Sequence, residues 1–71
     1  MQILVFKTDI SSKKRVAAIE PYLSKMQGVV RWNVDLKDID KVLRIEADSL
    51  SPRIIEKRLQ TAGYYCQELE G

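Results

Sequence analysis

The chain has 71 residues, of which 45% are hydrophobic and 31% charged, and its 12 lysines and arginines against 10 aspartates and glutamates leave a net charge of +2. That length supports one domain with a small core, and the mixed charge lacks the basic face or stripe on which nucleic-acid binding depends. Without histidine and with one cysteine, Cys66, the chain cannot build an internal disulfide, a nitrogen-and-sulfur metal site of its own, or a His-assisted nucleophile.

"QILVFK", Gln2–Lys7, is a β-branched, apolar run that reads as a strand buried on much of both faces. A polar turn follows. A helix begins near Ser12, with Val16, Ile19, Leu23 and Met26 on one stripe, Pro21 inside it and Gly28 as its stop. "VVRWNVDL" places Val30, Trp32, Val34 and Leu36 on one face of a second strand, with Arg31, Asn33 and Asp35 on the other. "KDIDK" is a polar hairpin loop. "VLRIEAD" alternates again, Leu43, Ile45 and Ala47 against Val42, Arg44, Glu46 and Asp48. Ser51-Pro52 opens a second helix as hydroxyl cap and first-turn proline; Ile55, Leu59 and Ala62 form its inner stripe, with Ile54 at the edge. Gly63 ends that helix, and "YYCQEL" is a last short strand.

The order strand–helix–strand–strand–helix–strand interleaves two split βαβ units. It predicts an α+β fold, a ferredoxin-like βαββαβ sandwich over residues 1–71, whose four-stranded antiparallel sheet carries two helices on one face. The other face is left to solvent. No stretch approaches the roughly 20 apolar residues of a membrane span, "MQILVFK" lacks the features of a signal peptide, and an unpaired cysteine fits a reducing compartment. A cytoplasmic location without membrane insertion is the expectation.

Lys7-Thr8-Asp9-Ile10, "VAAIEPYLSKMQGV", "WNVDL", "KVLRIEAD" and "AGY" follow one another at set spacings. Through these stretches, from Ile3 to about Leu69, the chain resembles the heavy-metal-associated (HMA) domains of copper and zinc chaperones and transporters. The family's M-x-C-x-x-C loop opens its first helix. Along this chain Ile10 falls on the methionine, Ser12 on the first cysteine and Arg15 on the second. The resemblance therefore implies a metal loop without its ligands: a serine hydroxyl that stays protonated and a permanent cation replace two thiolates. No metal or other cofactor is expected there.

Three cations, Lys13, Lys14 and Arg15, open the first helix, where the helix dipole is itself positive. With Ser11 and Ser12 they read either as an anion or acidic-partner contact or as a solvated helix end with Ser11 or Ser12 as cap. No glycine permits the close backbone approach of a phosphate-cradling loop. Cys66 shares a face with Tyr64 and reads as a small buried hydrophobe, or as a metal ligand shared between two chains. Trp32 reads as core. Asp38 and Asp40 read as turn formers, with a hard-cation site as the alternative.

Outward residues of the two central strands, Ile3, Val5 and Lys7 with Val42, Arg44 and Glu46, offer no aromatic platform for RNA. Ile3, Val5 and Val42, rimmed by Arg31, Arg44, Glu46 and Gln67, form a small apolar patch suited to a protein partner or self-association, or are scattered aliphatics. The expected function is a non-enzymatic protein-interaction or accessory domain. The alternative is a heavy-metal-binding or trafficking protein with a weak, shared or relocated site.

Overall fold

The computed structural model describes residues 1–69. Its elements are β1 (Gln2–Thr8), α1 (Lys13–Ser24), β2 (Val29–Val34), β3 (Leu43–Ala47), α2 (Pro52–Thr61) and β4 (Cys66–Glu68). The strands form one sheet in the order β2-β3-β1-β4, every neighbouring pair antiparallel. This is the expected ferredoxin-like sandwich. Leu4 and Phe6 of β1, Leu43, Ile45 and Ala47 of β3 and Cys66 of β4 pack in one core with Ile19 and Leu23 of α1 and Ile55 and Leu59 of α2. Each large aliphatic buried there contributes about 1.5–3 kcal/mol.

Local chemistry sets the element ends. Ser12 and Ser51 are extended residues whose hydroxyls cap α1 and α2, and Pro52 opens α2 as the sequence predicts. Gly28, with φ +101°, closes the turn after α1, and a Cβ there would meet the Asp48 carbonyl oxygen at 3.0 Å. That oxygen's own residue donates its amide to the Gly28 carbonyl at 2.8 Å, so the glycine lets two backbones touch.

Four expectations are corrected. β1 is not buried on both faces: Leu4, Phe6 and Thr8 point into the core while Ile3 and Lys7 are exposed, because the helices cover only one side of the sheet. Val30 does not share the inner face with Trp32 and Val34. The register slips between Val29 and Arg31, so Val29 packs on the core and Val30 is 56% exposed; one inserted residue turns the side chains before it to the other face. Finally, Glu56 joins Ile55 and Leu59 on the inner side of α2, 8% exposed, while Ala62 lies only at its margin. The last strand is shorter than "YYCQEL".

The two sheet edges differ. On the side of β4 away from β1, the Glu56 carboxylate accepts the Glu68 amide at 2.6 Å and the Gln60 side chain donates to the Cys66 carbonyl at 3.0 Å. Arg53 braces the same corner, pairing with Glu56 at 2.9 Å and with Glu68. The outer side of β2 carries no partner strand among the described residues.

Candidate functional site

The turn from β1 into α1 is held from three directions. Thr8 donates its hydroxyl to the Lys41 carbonyl, accepts the Ile10 amide on the same oxygen at 3.2 Å, and donates its own amide to the Asp40 carbonyl at 3.0 Å. Asp9 accepts the Tyr65 amide on its carboxylate at 3.0 Å, which ties in the loop before β4. Ile10 is fully buried. The chain then emerges at Ser11, and α1 begins.

Ser12, not Ser11, is the cap. Its Oγ accepts the Arg15 amide at 3.2 Å and its carbonyl accepts the Val16 amide at 3.0 Å. Arg15 turns its guanidinium back to the Asp9 carbonyl at 3.1 Å. Lys13, Lys14 and Arg15 are exposed, the first turn holds no acid, and none of the three forms an ion pair among the described residues. The turn therefore offers permanent positive charge, one hydroxyl already committed to its own helix, and no soft donor. It repels cations and attracts carboxylates within about 8–10 Å.

This arrangement predicts that Arg15→Glu stabilises the fold. A glutamate three residues after Ser12 completes a reciprocal capping box and complements the helix dipole. The expected gain is about 0.5–1 kcal/mol, or several degrees in Tm for a domain of this size. A lowered Tm would mean that the bond from Arg15 to the Asp9 carbonyl outweighs both effects.

The acidic hairpin works as turn chemistry. Asp35 accepts the Lys37 amide at 3.0 Å, Asp38 accepts the Asp40 amide at 2.8 Å, and Asp40 pairs with Lys7 at 3.5 Å. Among the described residues no group of three or more acids and cysteine is placed to hold a metal. Cys66 is 1% exposed. Burial, helped by the negative charge of Glu56, pushes its thiol up to about 12, so it stays protonated. A shared metal ligand needs an exposed thiolate, and Cys66 is neither. Trp32 packs partly buried against the core.

On the open face the register sets Ile3 opposite Glu46 and Val5 opposite Arg44, with Arg31 and Asn33 on the far side of β3. Arg31 pairs with Glu46 at 3.2 Å. Ile3 is 55% exposed, and Val5 and Val42 are half-buried. The structure thus leaves the two candidate surfaces apart: the cationic turn lies at one end of the sandwich, the apolar patch on its open face. What sequence reasoning missed is the Arg53–Glu56–Glu68 corner. The spacing of Arg53 and Glu56, three apart on one helix, was the available signal, but nothing in the sequence sets Glu68 beside them.

Neither a family model nor a curated relative matches the sequence. Solved structures match its fold over nearly its whole length. The yeast copper transporter domain Ccc2a, in its apo and Cu(I)-loaded states, is 14% identical over 99% of this chain and 97% of that one, with a TM-score of 0.84. The N-terminal domain of ZntA in its Zn(II) form is 20% identical over 97% of this chain and 93% of that one, with a TM-score of 0.81. A chain of the Atx1–Cu(I)–Ccc2a complex is 14% identical over 99% and 97%, with a TM-score of 0.82. The fold is that of HMA domains. Among the described residues no helix is long and apolar enough to cross a membrane.

Proposed function

We propose that this chain is a non-enzymatic, cytoplasmic HMA-like module that binds a protein partner and holds no soft metal at the turn where such domains carry cysteines. One observation carries the reading. Ser12 and Arg15, on the positions that the resemblance assigns to the ligands, are joined to each other by the helix cap, Oγ to amide at 3.2 Å. The Ser12 hydroxyl is thereby committed to the backbone of its own helix, and the Arg15 guanidinium turns to the Asp9 carbonyl at 3.1 Å. Lys13, Lys14 and Arg15 then present charge suited to an acidic protein surface, and the fold is one that assembles with a partner protein in the Atx1–Cu(I)–Ccc2a complex. The other reading of the sequence is a heavy-metal-binding or trafficking protein with a weak, shared or relocated site; of its forms, the one with a site shared through Cys66 is opposed by the burial of that thiol.

The test is a Cu(I) titration of the native chain against a thiol-free competitor chelator, followed by amide NMR. The expected result is that the competitor keeps the metal and the amides of Ser11–Arg15 do not move. One Cu(I) bound tightly per chain, with shifts at Ser12, would overturn the proposal.

A further inference from the structure

On the open face of the sheet, Arg44 sits exposed near the start of β3, between Val5 on one side and Asn33 on the other. It forms no ion pair among the described residues, whereas its neighbour Arg31 is matched to Glu46. A shallow hollow runs from Arg44 across Val5, Asn33 and Val42 to Asp35 and Asp38. The hollow thus has a cation at one end, carboxylates at the other and aliphatic ground between. Asp35 and Asp38 each spend one oxygen on a backbone amide of their own loop, and neither forms an ion pair among the described residues. A surface carrying both signs on either side of an apolar floor is complementary to its own copy.

We propose that the open sheet face pairs with the same face of a second copy of this chain. A two-fold axis lying in the plane of the face and passing Asn33 and Val42 lays Arg44 of each copy against Asp35 of the other, so both contacts form or neither does. Val42 then meets Val42. The same operation sets each hairpin loop, with Ile39 92% exposed at its tip, over the β1 side of the other copy, where Val5 and the exposed Lys7 lie. The molecule measures only 28 × 26 × 18 Å, so one face supplies no more than the roughly 800 Å² per partner of a standard specific interface. With only the half-buried Val5 and Val42 as apolar ground and solvent-exposed charges around them, the pair is weak and concentration-dependent. It names the partner of the open face and rests on the proposed function only in taking that face as a contact surface; its failure leaves the Cu(I) result untouched.

Sedimentation equilibrium and amide NMR of the native chain from about 0.05 to 1 mM cover the range of such a pair. The expected result is a mass rising toward the dimer, with shifts confined to Val5, Asn33, Asp35, Val42 and Arg44 on the open face and to the hairpin tip at Ile39. Arg44→Glu alone and Asp35→Arg alone each face like charges twice and should raise the dissociation constant at least about tenfold. Mixing the two variants should restore association, because each hybrid contact then joins opposite charges. Dispersed amide spectra show that the variants are folded. A monomer across the whole range, shifts centred on Lys13–Arg15, or folded variants whose mixture stays monomeric would each overturn the proposal.

Discussion

A chain carrying Ser12→Cys together with Arg15→Cys is expected to bind one Cu(I) against a competitor that strips the native chain, a gain of several orders of magnitude. The reason is positional. The γ atom of residue 12 already lies 3.2 Å from the backbone of residue 15, and both stand at an exposed helix start with no acid in the first turn. Thiols at such a site ionise well below about 8.5, and the neighbouring Lys13 and Lys14 favour their thiolates further. Two thiolates supply the soft donors that Cu(I) selects. Removing the Arg15 guanidinium also removes a charge that repels the ion. The exchange forfeits the Ser12 hydroxyl cap, about 0.5–2 kcal/mol, so urea unfolding should accompany the titration. A folded variant that loses the metal to the competitor as readily as the native chain would show that Ser12 and Arg15 do not occupy ligand positions.

The largest loss of stability from a single polar residue is expected at Glu56. Its two oxygens serve different partners, the Glu68 amide at 2.6 Å and the Arg53 guanidinium at 2.9 Å, in a position only 8% exposed. Glu56→Ala leaves a part-buried amide without an acceptor and weakens the hold of α2 on β4. The cost is about 1–3 kcal/mol, chiefly from the lost acceptor because the Arg53 side chain is 66% exposed, against a total of about 4–10 kcal/mol for a chain of this length. Glu56→Gln keeps an acceptor for the Glu68 amide and loses the charge opposite Arg53, so it should fall between. Urea midpoints with unchanged slope measure both. The Cys66 thiol gives a separate readout, because removing the Glu56 charge takes away one of the two causes that raise its pKa. If Glu56→Ala shifts stability by less than about 0.5 kcal/mol, the corner is not a clamp.

Much of the fold is legible in the residues. Alternation in "VLRIEAD", the hydroxyl caps and the two glycines place β3, both helices and their ends, since those signals act within a few residues. Val30 misleads because a bulge depends on how β2 meets β3, which the strand's own alternation does not encode. The run "ILVF" reads as doubly buried because four apolar residues in a row look the same whether one face or two are covered. Glu56 escapes because an acid on an inner stripe is tolerated only where a distant strand brings its amide. The site follows the same division. The turn and its charge can be read along the chain. That Ser12 rather than Ser11 makes the cap, and that Arg15 folds back on Asp9, depends on the contacts of Thr8 with the hairpin and of Asp9 with Tyr65.

The unequal sheet edges bear on how this small domain behaves when crowded. Continued strand-by-strand growth needs a bare backbone on both sides of every added unit. Here Glu56 and Gln60 occupy the β4 side, and the slipped register at Val30 disturbs the β2 side. A copy that docked on β2 would present a closed β4 edge or consume the one remaining template, so pairing through strand edges stops at two.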